Sequence, residues 1–210
     1  MEFTSIELGP IGTNCIIAFD KKLGRALVFD APGDAYKLAQ AFAKQHDLKI
    51  EALLLTHGHW DHILDSHHFK AAGIPIYAHK DDQFLLENPE KMASYALPGV
   101  TFEAVEVDTW LEPDEVVTFL EKLWEVRHVP GHCPGSLLFY NAETETAIVG
   151  DAIFAGSVGR TDLPGGDFGV LQTSIRGQIY TLPESTRLFP GHGPETSVGG
   201  EKASNPFVRV

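Results

Sequence analysis

The chain has 210 residues, 43% of them hydrophobic, which is ample for a buried core and fits one domain over residues 1–210. Sixteen Lys and Arg against 29 Asp and Glu leave a formal net charge of −13, which argues against a nucleic-acid backbone or an anionic membrane as partner. Cys15 and Cys133 stand in no C-x-x-C pair, the opening "MEFTSIELGPIGTNC" lacks the basic and apolar segments of a signal peptide, and no apolar run approaches the ~18 residues of a membrane helix, so a cytoplasmic protein is expected.

Strand patterns come first: "FTSIEL" (3–8), "NCIIAF" (14–19) and "RALVFD" (25–30). "AYKLAQAFAKQH" (35–46) has the apolar spacing of an amphipathic helix, with Asp34 placed to cap it. "IEALLLT" (50–56) reads as a strand buried on both faces. "HILDSHHFKAAG" (62–73) predicts a helix ending at Gly73, followed by the strand "IPIYAH" (74–79) and a short helix in "KDDQFLLENP" (80–89). Residues 90–113 carry no clear period and are expected to form a surface excursion. Strands resume at "EVVTFL", "KLWEVRHV", "SLLFYN" and "TAIVG"; "DFGVLQTSIRGQIYTL" (167–182) predicts a helix and "TRLF" (186–189) a last strand. Many strands, few helices and no strict β-α-β alternation point to a layered α/β architecture. No G-x-G-x-x-G follows a strand, so a dinucleotide fold has no support.

The chemistry concentrates in "LLLTHGHWDH" (53–62). A spacing of H-x-H-x-D-H arises by chance on the order of once in a thousand chains of this composition. In extended backbone His57 and His59 leave from one side, about 6–7 Å apart, and two imidazoles so placed can converge on one ion at about 2.1 Å. Asp61 and His62 are adjacent and diverge, which suits a second ion close by. "RHVPGHC", "AIVGDA" and "RLFPGHG" repeat the pattern of an apolar strand running into a tight turn with His or Asp, and they add His132, Asp151 and His192. Five imidazoles and two carboxylates suit Zn²⁺, Fe or Mn²⁺. His46, His67, His68, His79 and His128 lack this context and are read as solvated or hydrogen-bonded loop residues.

These segments resemble the metallo-β-lactamase-fold hydrolases, and within them the short bacterial glyoxalase II-like (hydroxyacylglutathione hydrolase-like) proteins. The matching pieces are "THGHWDH", "VPGHCPGS", "GDAIFAGSVGRTDLPGGD" and "FPGHGPETSVGGEKASNPF". The resemblance implies a four-layer αββα sandwich with two divalent metal ions at one edge of its sheets, Zn²⁺ foremost, with Fe or Mn as alternatives. It further implies that His57, His59 and His132 hold the first ion and Asp61, His62 and His192 the second, with Asp151 and a hydroxide bridging both. Asp61 and Asp151 are thereby also the catalytic carboxylates. Arg160 matches a basic position that contacts glutathione in longer glyoxalase II enzymes; a structural salt bridge is the alternative. The chain departs from the family pattern at Leu64 and Asp65, where small residues are usual, and at Cys133 and Ser136, which replace the Thr and second His of GHTPGH. It also shows no counterpart of the C-terminal helical domain that supplies much of the glutathione site. No departure removes a ligand; all bear on the substrate.

The implied function is hydrolysis of a small-molecule acyl thioester, glutathione-linked, such as S-D-lactoylglutathione. A persulfide dioxygenase with one iron, a lactonase or β-lactamase of the same fold, and a non-enzymatic metal-binding module are the alternatives. Cys133 is expected to be a wall residue rather than a nucleophile. The loops around 90–110 and 154–167 are expected to build the pocket, with Lys91 and Arg160 as its only bases.

Overall fold

Two adjacent β-patterned segments that alternate their burial on both faces must be covered twice, and this requirement sets the layering. The structure, a computed structural model, describes residues 1–209. β1 (Glu2–Leu8), β2 (Thr13–Asp20) and β3 (Arg25–Phe29) form an antiparallel meander. Helix α1 (Ala35–Gln45) returns the chain to β4 (Lys49–Leu54), parallel to β3. Short helices α2 (Trp60–Ile63) and α3 (Ser66–Ala71) lead to β5 (Ile76–His79), and α4 (Gln83–Leu86) precedes β6 (Thr109–Leu111), both strands parallel to their neighbours. The second sheet begins with the meander β7 (Val116–Phe119), β8 (Lys122–His128), β9 (Leu137–Asn141) and β10 (Thr146–Gly150). A ribbon of β11 (Ile153–Phe154) and β12 (Ser157–Val158), then α5 (Phe168–Ser174), intervene before β13 (Arg187–Pro190), which lies parallel to β10. β14 (Thr196–Ser197) and α6 (Val198–Ser204) follow.

The strand orders are β1-β2-β3-β4-β5-β6 and β14-β13-β10-β9-β8-β7. Alternate side chains divide between layers. Ile16, Ala18, Leu27, Phe29 and Leu54 of the first sheet meet Trp124, Val126, Phe139 and Ile148 of the second. The intervening Cys15, Ile17, Val28 and Leu53 face α1 and Phe69 of α3, while Leu138, Val149 and Leu188 face Leu171, Ile175 and Val198. Helices therefore cover both outer faces, as an αββα sandwich requires, and the shared inner core makes the described residues one folded unit.

Several expectations need correction. Asp34 does not cap α1: it sits at φ 70° with no side-chain hydrogen bond, and Asp65 instead accepts from the Tyr36 N–H at 2.8 Å. The helix expected over 62–73 is split, because the backbone of Ala31 takes the His62 carbonyl (2.7 Å) and the Asp65 N–H (2.9 Å) that would have continued the ladder. Residues 90–113 are not a mere excursion: Met92 and Val105 are buried, and Thr109–Leu111 pairs with β5. The helix over 167–182 shortens to α5 plus a π-helical turn at Ile175–Ile179. The ribbon, β14 and α6 had no legible pattern. No helix among the described residues is long and apolar enough to cross a membrane.

Candidate metal centre

Topology brings the four ligand-bearing turns together. β8 and β10 are each antiparallel to β9, and β13 is parallel to β10, so all three end on the same edge of their sheet. The turn after β8 carries His132, the turn after β10 carries Asp151 and the turn after β13 carries His192. β4 ends on the facing sheet and delivers His57 and His59, with Asp61 and His62 on α2. All seven residues predicted from the sequence meet here. They fall into three overlapping groups whose candidate ligand atoms lie within 4.8 Å of one another: His57, His59, His132; His57, His62, Asp151; and Asp61, His62, His192.

The outer nitrogen of four of the five imidazoles is committed to an acceptor, which sets the tautomer and turns a lone pair inward. His132 Nδ1 donates to the Arg160 carbonyl at 2.7 Å, and His192 Nδ1 donates to the Gly12 carbonyl at 3.1 Å. His62 Nδ1 donates to Asp30 Oδ2 at 2.8 Å. Thr56 Oγ1 spends its proton on Asp30 (2.8 Å) and so accepts from His57 Nδ1 at 3.0 Å. Inward, His132 Nε2 stands 2.8 Å from His59 Nδ1 and 3.2 Å from His57 Nε2. His62 Nε2 is 3.2 Å from Asp61 Oδ2 and 3.4 Å from Asp151 Oδ1, and His192 Nε2 is 3.3 Å from Asp61 Oδ2 and 3.5 Å from Asp151 Oδ2. Ligands 2.0–2.1 Å from a tetrahedral ion are separated by about 3.4 Å, so the observed spacings fit a shared cation.

Burial makes the same point. His62 Nε2 and Asp151 Oδ1 are buried without a hydrogen-bond partner among the described residues, a cost that a cation would remove. Burial, reinforced by neighbouring imidazoles, lowers the pKa of His57 and His59 well below the ordinary value. His132 is also lowered, by burial, so these three are neutral ligands at pH 7. Burial also opposes charge at His62, yet Asp61, Asp151 and Asp30 outweigh it and raise that pKa. Three buried carboxylates, Asp30, Asp61 and Asp151, thus demand positive charge here.

Sequence reasoning missed the supporting residues. Asp30, fully buried at φ 58°, accepts from the Thr56 N–H and hydroxyl and from His62; "VFD" at the end of β3 was the available signal. Thr13 donates to Asp61 Oδ2 at 2.7 Å. Asp82 ties the two His loops together by accepting from Gly58 N (2.8 Å), Gly135 N (2.6 Å) and Cys133 Sγ (3.0 Å). The side chain of Arg160 pairs bidentately with Asp162, both contacts at 2.7 Å, on the rim of the site, so it is a salt bridge in this structure.

A cavity of about 340 Å³ opens onto His59, Asp61, His132, Asp151 and His192. Trp60, Met92, Phe154 and Leu163 form its walls, and Ile11, Tyr95 and Arg160 its rim. The expected loops contribute, but the turn carrying Ile11 was not foreseen.

Residues 8–192 match the family model of the metallo-beta-lactamase superfamily, and the chain belongs to that superfamily. It is 36% identical to the hydroxyacylglutathione hydrolase GloC of Haemophilus influenzae over 97% of this chain and 98% of the relative. Among solved structures it is similar to the BLEG-1 B3 metallo-beta-lactamase, with a TM-score of 0.90 and 38% identity over 98% of this chain and 99% of the other. It is also similar to TTHA1623, whose structure is described as a di-iron-bound form, with a TM-score of 0.82 and 33% identity over 98% and 100%. The fold and the His/Asp cluster together imply divalent metal ions and place the chain among metallo-hydrolases.

Proposed function

We propose that the protein is a metal-dependent thioester hydrolase of the glyoxalase II type, with S-D-lactoylglutathione among its substrates. The observation that carries the proposal is the position of Asp151, within 3.5 Å of His62, His132 and His192 at once, from which it would join the two ligand groups into one dinuclear site. His57, His59 and His132 would hold one ion, Asp61, His62 and His192 the other, and Asp151 would reach both. Bound divalent ions of this class lower the pKa of water and polarise a carbonyl. The chain's own contribution is orientation: Asp30, Thr56 and the carbonyls of Gly12 and Arg160 hold the imidazoles, and Thr13 holds Asp61.

A thiolate leaves without being protonated, and the cavity lining carries no carboxyl group besides the candidate ligands Asp61 and Asp151. Asp61 and Asp151 act as the catalytic carboxylates in this reading by setting the positions of the ions. Zn²⁺ is the proposed metal and iron the alternative, supported by the di-iron-bound relative. A cytoplasmic location belongs to the same proposal, supported by two free, buried cysteines, as does a small-molecule substrate rather than a nucleic acid or membrane, supported by the net charge of −13. The second reading is β-lactam hydrolysis, favoured by the 38% identity to BLEG-1.

Elemental analysis should find two ions per chain, and His59→Ala and Asp151→Ala should each lower occupancy and abolish turnover of S-D-lactoylglutathione. One tightly bound iron with oxygen uptake on glutathione persulfide would overturn the proposal, and β-lactam turnover without thioester turnover would favour the second reading.

A further inference from the structure

Outside the ligand cluster, the cavity is almost wholly hydrocarbon. Trp60 and Met92 are buried and pack with Leu85 and Cys133 in a small core of their own, against which Leu163 and Phe102 also pack. The wall is thus a built surface rather than a loose loop. Ile11 and Tyr95 stand at the mouth with 44% and 45% of their surface in water. Large apolar side chains left exposed together at the opening of a reactive cleft mark the place where a ligand covers them.

The one formal cation on the lining is Arg160, and Asp162 pairs with the Nε/Nη2 edge of its guanidinium and neutralises its charge. Arg160 in turn holds the Asp162 carboxyl down to about 2, so the pair stays ionised throughout any working pH range. Glutathione brings two carboxylates to be recognised, and the single formal cation on this rim is already ion-paired with Asp162. The volume, near the lower end of the range for ligand pockets, suits a small acyl group.

Resting on the hydrolase reading above, we propose that the site selects its substrate by an uncharged, apolar acyl chain laid against Trp60, Met92 and Ile11, and does not read the thiol carrier. The preferred class is short-chain apolar acyl thioesters on any accessible thiol, rather than hydroxyacyl thioesters of an anionic tripeptide. The reaction is unchanged: water adds to the thioester carbonyl, the C–S bond breaks, and a carboxylate, a thiol and one proton are released.

The test is a panel of acetyl, butyryl and lactoyl thioesters, each on glutathione and on the neutral N-acetylcysteamine, assayed with the metal-loaded protein. From acetyl to butyryl, kcat/KM should rise about fifteenfold on either thiol, the ~1.6 kcal/mol of two buried methylenes. Exchange of glutathione for the neutral thiol should change it less than about threefold. Ile11→Asp, at an exposed position that does not endanger folding, should flatten the chain-length rise to below about fivefold. Calorimetry with non-hydrolysable S-methyl and S-butyl thioethers of N-acetylcysteamine gives a readout independent of turnover: the butyl compound should bind more tightly and with a negative heat-capacity change. A tenfold or greater preference for glutathione, or a rise below threefold with chain length, overturns the inference while leaving a thioester hydrolase intact. No turnover of any thioester by protein carrying two ions overturns the hydrolase reading itself.

Discussion

At the scale of single residues, the site depends on which atom of each imidazole is spoken for. Asp30 does this for two of them, directly at His62 and through the Thr56 hydroxyl at His57. Cys133 belongs to the same supporting layer. Its thiol donates to Asp82 at 3.0 Å, and burial together with the Asp82 charge pushes its pKa well above the ordinary value. A protonated, fully buried thiol is no nucleophile. Cys133→Ser keeps a donor toward Asp82, so kcat is expected to stay within about threefold of the parent. A loss beyond a hundredfold with both metals retained, about 2.7 kcal/mol of transition-state stabilisation, would contradict that assignment.

At the scale of elements, the turns after the strands must pass so close to the cluster that some positions admit no side chain. Gly191 follows β13: a Cβ there would overlap Asp151 Oδ1 and lie 2.6 Å from His62 Cε1. Its backbone is clamped as well, since its N–H donates to the Gly150 carbonyl at 2.9 Å and its carbonyl accepts from Asn14 at 2.7 Å. The glycine cannot retreat, so Gly191→Ala should displace Asp151 and His62. The expected result is loss of roughly one ion per chain by elemental analysis, with about 1–3 kcal/mol of overpacking cost in denaturant unfolding. Two ions held as tightly as in the parent would show that the turn has slack. Elsewhere, Gly131 at φ 126° meets the backbone of Leu171 in the same close manner, fixing how α5 approaches the His132 loop.

At the scale of the whole molecule, two sheets with helices on their outer faces leave one edge where strand ends from both sheets face each other. Three carboxylates, Asp30, Asp61 and Asp151, are buried at that edge in a chain of net charge −13, which two divalent ions would bring to −9 (−13 + 4). Metal binding should therefore stabilise the fold as a whole. At a free metal concentration a thousandfold above Kd the gain is about 4 kcal/mol, which for a chain of this size corresponds to a Tm higher by about 10 °C. Differential scanning fluorimetry with and without a strong chelator measures it directly. An unchanged Tm would mean that these seven residues do not hold tightly bound ions.

The sequence by itself determined the seven candidate ligands, because H-x-H-x-D-H is a local spacing and each remaining member follows a short apolar strand into a tight turn. It determined most strands for the same reason: a period of two, or a doubly buried run such as residues 50–56, is written in neighbouring residues. Only the tertiary structure brought the ligands into those groups in space, since that depends on β13 lying parallel to β10, a pairing across some forty residues. The split of the helix at Leu64 and the capping of α1 by Asp65 were equally illegible, because the competing hydrogen bonds come from Ala31 and Tyr36 in distant parts of the chain. The pocket walls followed suit. Ile11, Trp60, Met92 and Phe154 come from four separate segments with no common pattern, and burial by long-range packing, not local spacing, turns them into one surface.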